Sequence, residues 1–311
     1  MNTKYDGPIV DAHQHFWALA GRHHPWLAPG VRVPHRYGDY EAIKRDYLPA
    51  DYRRDAAAHD VVATVYVEAE WDPATPLDET RFVTALAREH GLPNAMAAQA
   101  WLDAADVAEV LAAQSRFELV RSVRHKPAHA HAHASSGNTL MSNGRWRDGY
   151  AQLAQYGLHF ELQTPWHHLR EAAALARDFP DTMLIVNHAG VPGNRTASTL
   201  HGWREALAPL AARPNTVVKV SGLCEAGQPW SVEANRDVLG TLRELFGAQR
   251  LMFGSNFPVD GLFLSLDALI DGFKTLVSAW SAAEQRAFFH DTATRVYRPV
   301  DLSNPSTRTP R

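Results

Sequence analysis

The sequence predicts a (β/α)8 TIM barrel, an α/β fold of eight parallel strands ringed by helices. Three observations predict it. About eight short, apolar, β-branched runs alternate with amphipathic segments through most of the 311 residues. These units fill about 290 residues, the count and length of such a barrel. No Gly-x-Gly-x-x-Gly or Walker-type loop follows any of the runs, which leaves the runner-up, a doubly wound open sheet, without a nucleotide-binding fingerprint.

Strands are expected near residues 9–15, 61–68, 94–101, 119–125, 158–163, 183–188, 217–221 and 251–256. Helical periodicity fills the gaps, at 78–90, 105–114, 146–156, 168–178, 203–212 and 233–246. Gly91, Gly157 and Gly247 stand where three of these helices should stop. Pro180-Asp181 and Pro214-Asn215 punctuate returns from helix to strand. The segment 18–46 is too long for an ordinary βα loop and carries His23, His24, Trp26, Tyr37 and Tyr40, so it should lie over the barrel mouth. No linker or repeat divides the chain. A single domain over residues 1–298 is expected, followed by a polar, Pro-rich tail, 299–311, that frays.

The chain is 45% hydrophobic and 21% charged, the balance of a soluble globular protein. A net charge of −3 implies no broad basic surface, which argues against nucleic acid or an anionic membrane as partner. No apolar run approaches the roughly 18 residues of a membrane helix, and Met1–Asp6 is short and polar, so a cytoplasmic location is expected. The single cysteine, Cys224, excludes an intrachain disulfide and a cysteine zinc cluster. His129, His131 and His133 form an Ala/His alternation that reads as a tolerant surface loop. Self-association into a homo-oligomer is left open by the sequence.

If the barrel is right, chemistry gathers where strands end. Strand one ends in His13 and His15, strand two in Glu68 and Glu70, and strand four in Arg121, Arg124 and His125. Strand five ends in Glu161 and Gln163 before Trp166, strand six in Asn187-His188, strand seven in Lys219 and Ser221, and strand eight in Ser255-Asn256 before Asp260. Burying so many polar groups without pairing or function would be costly. Side chains alternate along a strand, so Asp11, His13 and His15 should share one side. Paired imidazoles there can bind a metal, polarise a carbonyl or relay protons. Arginines suit a carboxylate bidentately, which suggests an anionic small-molecule substrate. Arg121 and Arg124 are three apart, so only one should enter the mouth, and Arg124 is favoured. The alternative is that both arginines neutralise Glu68, Glu70 or Glu161.

The motifs Asp11-Ala12-His13-Gln14-His15-Phe16-Trp17, Pro25-Trp26-Leu27, Arg121-Ser122-Val123-Arg124-His125, Asn187-His188-Ala189-Gly190, Val218-Lys219-Val220-Ser221-Gly222-Leu223 and Phe253-Gly254-Ser255-Asn256-Phe257-Pro258 follow one another in order, and the match they carry spans about residues 9 to 298. In these the chain resembles the amidohydrolase superfamily. More narrowly it resembles the amidohydrolase-related branch that holds sugar-lactone hydrolases such as fuconolactonase, and pyrone-dicarboxylate lactonase. The resemblance implies a barrel whose C-terminal face hydrolyses a cyclic ester. Strand-one and strand-six histidines polarise the carbonyl, and a strand-eight aspartate activates water. The histidines carry over to His13, His15 and His188. The aspartate does not, because Asn256 stands in its place and an amide cannot take a proton from water near neutrality. The superfamily's single-metal site also uses a strand-five histidine, where this chain has Glu161-Leu162-Gln163.

A hydrolase opening a carboxylate-bearing lactone, with no cofactor required, is the reading that follows. In it His13, His15 and His188 hold the carbonyl oxygen, Lys219 stabilises the oxyanion, and Asp260 or Glu70 is the base. Arg124, Arg121, Asn256, Trp26, Trp166 and Tyr37 bind substrate, with Trp17 and Trp71 as further walls. The alternatives are a decarboxylase or C–N hydrolase using a single divalent metal such as zinc on His13 and His15, and a binding barrel that has lost catalysis.

Overall fold

The computed structural model describes residues 4–34, 37–128, 138–227 and 230–302. Eight strands, β1 (Ile9–Gln14), β2 (Val61–Val67), β3 (Ala95–Gln99), β4 (Val120–Arg124), β5 (His159–Leu162), β6 (Leu184–Val186), β7 (Thr216–Val220) and β8 (Leu251–Phe253), pair in parallel and in sequence order. Helices α1 (Pro49–Asp55), α2 (Pro76–His90), α3 (Val107–Gln114), α4 (Gly144–Ala151), α5 (Leu169–Asp178), α6 (Ala197–Ala211), α7 (Val232–Phe246) and α8 (Leu266–Leu276) fill the returns, and α9 (Ala282–Arg286) and α10 (Thr292–Tyr297) close the chain. The expected (β/α)8 barrel is the observed fold. No helix among the described residues is long and apolar enough to cross a membrane.

The barrel floor is apolar. Val10, Ala12, Val65, Ile185, Val217 and Met252 pack against Val296 and Tyr297 of α10. Above them lies a polar layer. Glu161 accepts from Ser122 Oγ (3.1 Å), from Asn187 Nδ2 (2.5 Å) and from the Tyr297 hydroxyl, and pairs with Lys219 Nζ at 2.9 Å. Every member is buried, so the carboxylate is compensated by a charge and by hydrogen bonds together.

The β8–β1 seam carries only one isolated parallel bridge, Gln14 to Phe257, among the described residues. A carboxylate does the rest. Asp11 Oδ1 accepts from Ser255 N (2.8 Å) and His13 N (3.1 Å), and Oδ2 accepts from the Tyr52 hydroxyl of α1 (2.7 Å). Asn256 N then reaches His13 O (2.7 Å), and His15 N reaches Phe257 O (2.8 Å). A β-carbon at Gly254 would lie 2.7 Å from His13 Cβ, so only glycine lets the two segments approach this closely.

Three expectations are corrected here. Register irregularities between Asp11 and Gln14 break the strand alternation, so Asp11 serves the seam and does not share the open side with His15. Arg121 points away from the mouth, where its Nε donates to Tyr297 O (2.8 Å) and its Nη2 to Arg298 O (3.2 Å) behind α10. It is a clasp on the C-terminal helix and not a substrate ligand. The start of the tail is docked: Val300 N donates to Asn94 O (2.8 Å), and Leu302 is buried. His129, His131, His133 and residues 303–311 lie outside the described residues.

Because three donors depend on one buried carboxylate, Asp11→Ala should lower unfolding free energy by about 2–4 kcal/mol. Urea unfolding measures it; a change within about 0.5 kcal/mol would mean the seam holds without Asp11.

Candidate active site

The strands end sooner than their apolar patterns suggest. β6 stops at Val186 and β8 at Phe253, and the polar residues just beyond turn inward on left-handed backbone. Glu70, His188 and Asn256 have φ of 57°, 53° and 57°. Non-glycine residues in that region cost roughly 1–3 kcal/mol each and persist only where the surroundings hold them. The holds are visible. Glu70 N donates to Glu68 Oε2 (2.8 Å), Asn187 N to Leu162 O (2.8 Å), and Asn256 N to His13 O.

These turns bring His15, His188, Asn256 and Glu70 onto one cavity of about 660 Å³ at the C-terminal ends of the strands. Arg124, Lys126 and Gln163 line it too, with Trp17, Trp26, Tyr37 and Trp166 among its walls. The long segment after β1 covers the mouth as expected, contributing Trp26, Val33, Pro34 and Tyr37. Trp71 turns away and stacks on His23 at 4.2 Å.

The His15 ring is fixed: Nδ1–H donates to Val67 O at 2.7 Å. Burial, then the Arg124 charge, lowers its pKa to about 3, so the ring is neutral and Nε2 carries a lone pair. His15 therefore accepts hydrogen bonds at Nε2 and does not donate to a carbonyl, which corrects its expected role. His188 Nδ1 meets Ser221 Oγ at 3.0 Å. A hydroxyl can donate there, which leaves Nε2–H as a donor. His13 lies behind them, its ring 4.6 Å from His188 and 5.1 Å from His15. Burial, then the neighbouring His188, Lys219, His15 and Arg124, hold it well below the usual histidine range. Both its ring nitrogens lack a hydrogen-bond partner among the described residues.

Asn256 donates both amide hydrogens, to the Tyr37 hydroxyl (2.9 Å) and to Asp260 Oδ1 (2.7 Å). Its oxygen is left as an acceptor within hydrogen-bonding reach of His15. Asp260 is buried behind this amide and does not line the cavity. Lys219 is likewise absent from the lining; it is held by Glu161 beneath the tier of histidines, and burial lowers its pKa to about 8.

Arg124 is both in the cavity and already paired. Its Nε contacts Glu68 Oε1, Nη2 the Glu68 carbonyl, and Nη1 donates to Gln163 Oε1 (3.0 Å). Lys126 pairs with Glu70. Glu79, in the first turn of α2 where an acidic side chain is usually solvated, is fully buried. Its Oε1 accepts from Ala69 N (2.7 Å) and the Tyr66 hydroxyl (2.8 Å). The Ala69 carbonyl in turn accepts from Trp26 Nε1 (2.9 Å) and His24 Nδ1 (3.0 Å). One helix glutamate thus ties the arch carrying Glu68 and Glu70 to the loop carrying Trp26. Lys126 is a further cavity residue, signalled in the sequence by its place directly after Arg124-His125.

Three imidazoles supply neutral donors for a metal, but the set is incomplete. Among the described residues no group of three or more His, Cys, Asp or Glu side chains could hold an ion. Asn256 brings no charge where a carboxylate would balance a divalent cation, and Asp260 is tied to its amide. His159, the one strand-five histidine, donates to Val296 O (3.2 Å) at the floor. The residues present therefore do not fit a closed single-metal cage.

An eight-stranded barrel with histidines, an amide and a carboxylate converging on a cavity at its strand ends has the architecture of a barrel enzyme. Residues 10–298 match the family described as Amidohydrolase, and the chain belongs to it. It is 36% identical over 299 residues to an uncharacterized protein, y4mH, of Sinorhizobium fredii, covering 94% of this chain and 99% of that one. It is 30% identical to the L-fucono-1,5-lactonase of Burkholderia multivorans, covering 93% and 95%. A crystal structure of an amidohydrolase from Burkholderia multivorans with bound zinc superposes with a TM-score of 0.79 at 29% identity, covering 94% of this chain and all of that one.

Burial, then the charge of Glu68, pushes the Glu79 carboxyl up from 4.5 to about 8. Between those values the folded chain keeps a proton the unfolded chain has released, so stability falls as pH rises through the window. Glu79→Gln is neutral throughout. It should match the parent near pH 4.5 and exceed it by an amount of order 3 kcal/mol around neutrality. Urea unfolding across pH measures this, and a pH-independent difference would mean that Glu79 is ionised in the fold.

Proposed function

We propose that this protein hydrolyses a lactone, by addition of water to a carbonyl held at the C-terminal face of the barrel. The observation that carries the reading is the convergence of His15, His188 and Asn256, two of them on strained backbone, on a cavity that also holds the carboxylate of Glu70. The likeness to a curated L-fucono-1,5-lactonase supports the same reaction class.

The residues divide the work. His188 Nε2–H donates to the carbonyl oxygen and stabilises the charge that develops there. His15 Nε2 and Asn256 Oδ1 are two acceptors side by side. A water that donates one hydrogen to this pair and turns the other toward Glu70 keeps a lone pair free for the carbonyl carbon. The proton shed as the C–O bond forms goes to Glu70, and returns to the ring oxygen as the ester C–O bond breaks. Asp260 acts through Asn256, by holding its amide in one orientation. Lys219 acts from below, through the Glu161–Asn187 contact that shapes the turn into His188.

The geometry supports an uncharged substrate better than the anionic one expected from the arginines. Arg124 is matched by Glu68 and Lys126 by Glu70, and Glu225 also lines the cavity. A substrate carboxylate would have to compete with Glu68 for Arg124.

A second reading, hydrolysis or decarboxylation assisted by one divalent metal, is favoured by the two unpartnered nitrogens of His13 and by the zinc in the Burkholderia multivorans relative. Metal analysis of protein purified without added metal separates the two. Stoichiometric zinc, lost together with activity on chelation, would replace the metal-free scheme. Within that scheme, Glu70→Gln should lower kcat about 10²–10⁴-fold with little change in KM. Asp260→Asn should cost less, because Asp260 orients and does not accept the proton. Unchanged kcat in Glu70→Gln would overturn Glu70 as the base. His188→Phe should cost about 10²–10³-fold in kcat, measured on the same substrate.

A further inference from the structure

We infer that the lactone ring carries a bulky apolar or aromatic substituent, held between indole walls that rise from opposite sides of the barrel mouth. This rests on the lactonase reading and names the substrate class of that same site. Polar side chains line the cavity from several strand ends, with His15, His188, Asn256, Arg124, Glu70 and Lys126 at or just beyond the ends of β1, β2, β4, β6 and β8. Apolar side chains stand among them. Trp26, Val33 and Pro34 come from the loop after β1, and Trp166 and Val191 from those after β5 and β6. The strands follow one another in order around the ring, so β1 and β5 lie four places apart, on opposite sides.

Both indoles are built into place. Trp26 Nε1–H is held by the Ala69 carbonyl, and its ring packs edge-on against Trp17 at 5.6 Å. Trp166 stacks on His167 at 3.8 Å, and its far edge rests where Gly202 of α6 has no side chain. A β-carbon at Gly202 would stand 2.7 Å from Trp166 Cη2. Size agrees. At the roughly 30 Å³ that a water occupies in the liquid, a lactone of about a dozen heavy atoms fills at most ~360 Å³. The cavity is about 660 Å³. A fixed aromatic wall gains most from a flat apolar group that leaves water to meet it.

The test compares a phenyl-substituted δ-lactone, unsubstituted δ-valerolactone and a hexono-1,5-lactone, with the phenyl-substituted lactam as an unreactive analogue whose binding is read by calorimetry. The phenyl lactone should be turned over with kcat/KM at least about tenfold above either other lactone. Trp166→Leu and Trp26→Leu should each lower its kcat/KM about tenfold more than that of δ-valerolactone. Gly202→Ala, which touches no ligand, should lower the same ratio by displacing Trp166, and thermal unfolding confirms that each variant is folded. A higher kcat/KM for the hexono-lactone, or equal losses on both substrates in folded variants, overturns the inference while the lactonase reading stands. Tight binding of the phenyl lactam with no turnover of any lactone overturns the lactonase reading while the aromatic clamp stands.

Discussion

The site depends on how the barrel closes. Between β8 and β1 there is no regular ladder, so the two segments are held by the Asp11 carboxylate and by the absence of a side chain at Gly254. A carboxylate can do what a ladder cannot: it accepts backbone N–H groups from both sides and a tyrosine hydroxyl from α1 at once. The closeness it enforces lets Asn256 N reach His13 O, and that bond sets the left-handed turn aiming the Asn256 side chain at His15. Site geometry and barrel closure are thus one constraint.

A second constraint is charge. Few positions in the mouth can hold an ion without a partner, and the chain resolves this locally by setting Glu68 against Arg124 and Glu70 against Lys126. The pairs bridge β2 and its loop to β4 and its loop, so they brace neighbouring strand ends as well as neutralising them. Glu79 extends the brace outward. Fully buried beside Glu68, it is the member of this group that stays protonated, because burial penalises its charge and one guanidinium would poorly compensate a second ionised carboxyl. The cost is borne by the fold and the benefit appears at the arch that carries Glu70.

Much of this was legible in the residues. The barrel followed from the spacing of apolar runs, and His15, His188, Asn256, Glu70, Arg124, Trp26, Tyr37 and Trp166 do line one cavity. What could not be read was orientation. Arg121 and Arg124 have the same chemistry in one strand, and only tertiary packing sends Arg121 to the carbonyls of Tyr297 and Arg298. Whether His15 donates or accepts depends on a backbone carbonyl, Val67 O, that no motif announces. Glu79 was invisible because amphipathic helices place most glutamates in water. Lys219 and Asp260 were assigned to the surface of the cavity, and the structure sets them behind it, where burial and partners make them supports.

Asn256 shows why the supports matter. A carboxylate at that position could both hold and deprotonate water. An amide can do only the first, and only if its oxygen faces the ligand. Here that choice is made by the neighbours: the Tyr37 hydroxyl and Asp260 accept the two amide hydrogens, so the oxygen is what remains for the cavity. Proton transfer must then be served from another strand. The loop after β2 offers a carboxylate on the cavity, Glu70, on an arch tied by Glu68, Glu79 and Lys126. An amide at the end of β8 and the bracing at β2 are, in the proposed scheme, two sides of one arrangement: the position that holds water and the position that takes its proton stand on different strands of the same barrel.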